Sequence, residues 1–175
     1  MLYQSQNVEM EAALTAAQAM CAAARTAPKA KGVDMIVTAI LTDETSEELA
    51  KQMEAMAPDE TSFFIRDAGC IRKSQAVVLI GTLYSKRGLD TLCGLCNYSG
   101  CADCTEKGAV CVFDPMDLGI AIGSAVSAAA DYRVDTRVMF SAGMAAKALG
   151  FLGNDVKAVM AIPVSVSGKS PFFDR

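Results

Sequence analysis

The sequence predicts an α+β domain, helices packed on a small mixed sheet, with a cysteine-rich loop inserted into it. Short β-branched apolar runs alternate with longer stretches of good helix formers, the pattern of a layered domain. Hydrophobic residues make up 52 % of the 175 residues and charged residues 21 %, a globular composition. Four of the seven cysteines crowd into residues 93–104, between an apolar run and a long small-residue helix.

Residues 8–25 are rich in Ala, Met, Leu and Glu and read as a helix, ended by Pro28 and Gly32. Residues 33–42, VDMIVTAILT, read as a buried strand. Thr45 and Glu48 have capping-box spacing and open a helix through Ala57. A shorter helix follows at 62–73, then a second strand at 76–84, AVVLIGTLY. After the cysteines, AVCVF at 109–113 reads as a third strand. Asp114, Pro115 and Asp117 mark a helix start: a capping side chain, Pro at the first position, and acids at the positive dipole end. That helix runs to about Arg133, and another spans about 136–149 with a break near Gly143. KAVMAIPVSV at 157–166 is the last strand. No repeat or linker divides the chain, so 1–175 reads as a single domain and 88–108 as its Cys-rich insertion.

The net charge is -4 with no basic run, which disfavours nucleic acid as a partner. The N-terminus lacks a secretory pattern, and the longest apolar run, 118–130, is too short to cross a bilayer. The expectation is a cytoplasmic protein with no membrane partner. There, clustered cysteines more often bind metal or do redox chemistry than form disulfides, and seven is an odd count. Histidine is absent, which removes Ser-His and Cys-His catalytic pairs, HExxH sites and mixed Cys/His zinc fingers. A cofactor must therefore carry any difficult chemistry, and no protein acid or base stands out.

The spacing is Cys93-x2-Cys96-x4-Cys101-x2-Cys104, with Cys111 beyond. Zinc ribbons set their two CxxC knuckles much further apart. Cys96, Cys101 and Cys104 instead have the x4–x2 spacing of plant-type [2Fe–2S] ligands, and a [4Fe–4S] cluster is equally compatible. Iron–sulfur is favoured; zinc, and thiols that are free or transiently oxidised, are the alternatives. The candidate ligands are Cys93, Cys96, Cys101, Cys104 and Cys111, five thiols for four places. Cys111 in its apolar run and Cys21 among alanines also suit a core, and Cys70 receives no role.

CGLCNYSGCADC, followed by DLGIAIGSAVSAAADYRVDTRVM and the terminal GKSPFFDR, resembles a family of uncharacterised ferredoxin-domain proteins of anaerobic bacteria and archaea. CGLCNYSGC is also similar to the opening of small four-cysteine [4Fe–4S] domains, which implies Cys93, Cys96 and Cys101 as the first three ligands. The scaffold looks like that of flavin-dependent nitroreductases. AAARTAPKAKGVDMIVTAILTD resembles their early segment, and AKALGFLG followed by VKAVMAIPVSVSG their late order. Such proteins are FMN-binding α+β homodimers with the flavin at the dimer interface. The resemblance implies that Arg25, Lys29 and Lys31 approach FMN, and that Lys169 and Arg175 help neutralise its phosphate. Read from the residues alone, Arg25, Lys29 and Lys31 are a helix C-terminus where cations favour the dipole. The arginine signature that holds the phosphate in nitroreductases has no counterpart in MLYQSQN.

Asp131, Arg133, Asp135 and Arg137 alternate in charge and read as a salt-bridged helix junction, with an Arg clamp for an anionic cofactor or substrate as the alternative. Gly119 and Gly123, four apart on a helix, allow close backbone contact at a dimer interface. The expected function is electron transfer through an iron–sulfur cluster, to or from an unknown partner or FMN, as in an oxidoreductase. The competing expectation is a non-catalytic ligand- or partner-binding module stapled by zinc.

Overall fold

A computed structural model of the chain describes residues 1–173. The elements run α1 (Ser5–Thr26), β1 (Ile36–Leu41), α2 (Asp43–Ala55), α3 (Phe63–Arg72), β2 (Ala76–Thr82), α4 (Cys101–Glu106), α5 (Phe113–Asp131), β3 (Asp135–Thr136), α6 (Phe140–Ala148) and β4 (Ala158–Ser165). The four strands form one sheet in the order β1-β2-β4-β3.

Every pairing is antiparallel, so the sheet is not mixed as expected. The reason lies in the β1–β2 connection. One helix would return the chain to the starting edge and make a parallel pair. Two helices, α2 and α3, leave it at the far end, and β2 runs back beside β1 with Ile36 opposite Thr82.

β2 is buried along its whole length and its side chains alternate between two cores. Val77 and Leu79 face α2, α3 and α6, with Leu49, Met53, Ile71 and Ala142. Val78 and Ile80 face α1 and α5, with Met20, Ala17, Leu118 and Ala125. The molecule is thus helix, sheet, helix. Buried Ala13, Ala16, Ala17, Met20 and Ala24 follow the helical period, and their small side chains let α1 lie close to α5. Ser124 Oγ donates to the carbonyl of Ala23 at 2.9 Å, pinning the pair.

Four local expectations change. The α2 capping box uses Thr42 and Thr45 instead of Thr45 and Glu48, one turn earlier. Gly143 lies inside α6 without a break: a Cβ there would meet the Val159 carbonyl at 2.1 Å, so glycine lets α6 touch β4. Residues 109–112 form no strand, and α5 begins at Phe113 with Val112 as its cap. The 131–137 junction is not salt-bridged among the described residues; Arg137 donates to the Phe172 carbonyl at 2.8 Å and stacks over Phe173. Among the described residues no helix is long and apolar enough to cross a membrane.

Candidate metal centre

The chain leaves β2 and makes a 30-residue excursion, 83–112, before α5. A short 3-10 turn, Asp90–Leu92, and α4 organise it. Two reciprocal bonds join them: Cys101 N–H donates to Asp90 Oδ1 at 3.0 Å, and Asp90 N–H donates to Cys101 Sγ at 3.3 Å. Gly100 leaves room for that carboxylate: a Cβ would stand 2.2 Å from Asp90 Oδ1 and push the side chain off its bond to Cys101 N–H. Ser99 anchors the start of α4 through Asp103 Oδ2, at 3.0 Å from both its N–H and its Oγ. Cys101 and Cys104, three apart on α4, fall on one side of the helix.

That side meets the rest of the loop. Cys93, Cys96, Cys101, Cys104 and Cys111 line one cavity, together with Lys86 and Arg87. All five expected metal ligands are therefore brought together, including Cys111, which approaches from irregular backbone instead of a strand. Cys104 and Cys111 are buried; Cys93, Cys96 and Cys101 are half-buried. Cys70 lies far off in the α2–α3–α6 core and Cys21 packs on the other.

The donor set fits a thiolate-bound group in kind and in number. The space is tight, about 20 Å³, room for roughly one water. Among the described residues no three Cys, Asp or Glu side chains already converge on a single-ion site. Taking up a group thus requires the thiols to adjust. Burial pushes the Cys104 thiol up, Lys86 beside it pulls it down, and the neighbouring Cys96 thiol adds to the rise. The Lys86 ammonium also donates to the Ala109 carbonyl, which holds it against the loop.

Beneath the cavity lies a buried ion cluster that sequence reading did not identify. Arg87 Nη1 sits 3.0 Å from Asp114 Oδ1 and Nη2 2.8 Å from Asp117 Oδ2, all three side chains nearly inaccessible. Burial works against the Arg87 charge, yet Asp117 and Asp114 more than offset it and hold its pKa above the ordinary value. Burial pushes Asp114 up, against the pull of the Ser85 N–H and Arg87. Asp114 accepts from Ser85 N–H at 3.1 Å, and Asp117 from Ala30 N–H at 3.0 Å. One cluster thus ties the loop's entry, the start of α5 and the turn after α1. The acids had been legible only as a helix start; their cation lies 30 residues upstream of Asp117.

The cations expected near a flavin occupy that same turn. Arg25 pairs with Asp34 at 2.9 Å and donates to the Ile36 carbonyl. Lys29 folds back onto the end of α1, donating to the carbonyls of Ala24 at 3.2 Å and Ala27 at 2.9 Å and also to that of Arg25. Lys31, in a left-handed conformation, reaches the Gly88 carbonyl at the mouth of the Cys loop, 3.4 Å away. A groove of about 260 Å³ separates the turn at 28–30 from Phe113, Met116 and Ile120 of α5. Phe113 lines both groove and cysteine cavity. Lys169 is exposed on the tail beyond β4, ahead of Phe172, which is buried in the α2–α3–α6 core. Arg175 lies outside the described residues.

An uncharacterised protein of Archaeoglobus fulgidus is 42 % identical over 183 aligned residues, covering 100 % of this chain and 98 % of that one. Residues 107–175 match a family model described as "Uncharacterized protein containing a ferredoxin domain (DUF2148)". The chain belongs to that family. The matched stretch includes Cys111 and begins after Cys104, whereas the archaeal relative spans the whole cysteine run. Solved structures show the fold to be nitroreductase-like. A nitroreductase with bound FMN from Bacteroides fragilis aligns with a TM-score of 0.59 at 10 % identity, over 88 % of this chain and 77 % of that one. A nitroreductase with bound FMN from Desulfitobacterium hafniense gives 0.57 at 14 %, over 97 % and 81 %. A nitroreductase family protein from Clostridium novyi gives 0.57 at 13 %, over 99 % and 79 %.

Proposed function

We propose that this protein is a cytoplasmic iron–sulfur electron-transfer protein on a nitroreductase-like domain, 1–175, whose insertion, 88–108, carries the cluster. The observation that carries the reading is the convergence of five cysteines on one cavity. Cys93, Cys96, Cys101 and Cys104 are the ligands, and Cys111 is the substitute. Cys104 is preferred because it shares a face of α4 with Cys101 and stands beside Cys96. When bound, the cluster supplies one-electron chemistry. The chain orients it through the Asp90–Cys101 pair and offsets its negative charge with Lys86.

FMN is the proposed second cofactor, in the groove beside the 28–31 turn, within reach of Arg25, Lys29 and Lys31, with Lys169 and Arg175 from the tail. The support is the shared fold with two FMN-bound nitroreductases and the common wall, Phe113, between groove and thiol cavity. Of the three, Lys29 lines the groove; Lys29 is held by helix carbonyls, Arg25 by Asp34 and the Ile36 carbonyl and Lys31 by the Gly88 carbonyl, so each would exchange those contacts for the phosphate. The outer face of α5, with exposed Met116, Gly119, Ile120 and Gly123, is the proposed homodimer contact.

One observation favours a second reading, zinc as a structural staple: a cavity of about 20 Å³ suits one ion better than a cluster. Anaerobic purification and an absorption spectrum separate the two. A broad band near 400 nm (roughly, for thiolate-to-iron charge transfer) that bleaches with dithionite supports the cluster. Flavin bands in the same spectrum test FMN.

A further inference from the structure

The Arg87 guanidinium is fixed on two sides and open on the third. Its Nη atoms are held by Asp114 and Asp117, and Nη1 also donates to the Ser85 carbonyl at 3.2 Å. Its Nε–H has no acceptor among the described residues. Ser46 Oγ and Ser170 Oγ share that condition, but a hydroxyl can rotate to find a partner. The Arg87 fork cannot turn without breaking both ion pairs.

An unmet donor on a side chain only 1 % exposed is costly, and native structures seldom keep one without a reason. Arg87 lines the thiol cavity and neither Asp114 nor Asp117 does, so the cavity is the space beside Arg87 from which an acceptor could reach its open Nε–H. Two carboxylates already balance the guanidinium, so what it offers the cavity is a directed N–H more than a net charge.

We infer that the Arg87 Nε–H is reserved as a hydrogen-bond donor to an anionic sulfur of the cluster, which adds Arg87 to Lys86 as a non-cysteine residue acting on the cluster. The inference rests on the iron–sulfur reading above. In the metal-free chain the cavity has room for a single water that would meet the same need. With the cluster bound, a donor to sulfur stabilises the more negative, reduced form and raises the potential.

The test uses full-length protein grown with nitrogen-15 arginine, reconstituted anaerobically with iron and sulfide, reduced and examined by pulsed EPR. The expected result is a weak hyperfine coupling from one arginine nitrogen, absent in Arg87→Lys. In that variant the reduction equilibrium should fall about tenfold, 59 mV for one electron. A reconstituted cluster with no arginine coupling overturns this inference alone. So does an Arg87→Lys potential within about twofold of wild type in equilibrium constant (~18 mV). If Arg87→Lys does not fold, the labelled wild-type spectrum decides by itself. Failure to take up iron and sulfide overturns the iron–sulfur reading, and this inference with it.

Discussion

Asp90 and Cys101 hold each other by two bonds, backbone to side chain in both directions, at 3.0 and 3.3 Å. The pair fixes one thiol of the cavity from eleven residues away, and it works because Gly100 leaves room for the carboxylate. Gly100→Ala should therefore disturb the site while sparing the core. We expect metal or cluster occupancy to fall several-fold with an unchanged far-ultraviolet dichroism spectrum. Wild-type occupancy in the variant would show that the pair does not shape the site.

The choice between Cys104 and Cys111 is testable by single substitution. Cys104→Ala should lose the visible chromophore, as should Cys93→Ala, Cys96→Ala and Cys101→Ala. Cys111→Ala should keep it. The reverse outcome for Cys104 and Cys111 would reassign the fourth ligand.

Breaking the buried ion cluster should be expensive. Asp117→Ala leaves Arg87 with one carboxylate fewer and Ala30 N–H without its acceptor. Removing one partner of a buried pair costs about 3–5 kcal/mol. Urea denaturation of the metal-free protein measures it; a loss below about 1 kcal/mol would place the network in a solvated setting.

Acid should weaken the link between α2 and α3. Arg72 lies 2.9 Å from Glu47 Oε2 and also pairs with Glu54, and its guanidinium holds both carboxyls below the usual glutamate range. With folded-state values depressed, the native state binds fewer protons than the unfolded one. This stabilisation is present above the unfolded glutamate value, about pH 4.3, and is lost as pH falls through the depressed values. Arg72→Gln should flatten that limb of the stability–pH profile on the acid side of the unfolded glutamate value. Parallel wild-type and variant profiles would show that the pairs contribute nothing.

The layered fold was legible because β2 is an unbroken apolar run and α1 carries its alanines at the helical period. The cysteine convergence was legible from spacing. The exceptions are places where a distant partner decides the local outcome. AVCVF has strand composition, but Cys111 is drawn to the thiol cavity and Phe113 into α5, so no ladder forms. Gly143 looked like a helix break because the β4 carbonyl that needs its missing Cβ lies 16 residues on, at Val159. Arg87 was invisible as a site residue because nothing in SKRGLD reveals that Asp114 and Asp117 will close over it.

The central claim is that the cysteine cavity holds an iron–sulfur cluster, and metal and sulfide analysis of anaerobically purified protein tests it most directly. The account predicts iron and acid-labile sulfide in equal amounts, with a visible band that dithionite bleaches. Stoichiometric zinc with neither iron nor sulfide would contradict it.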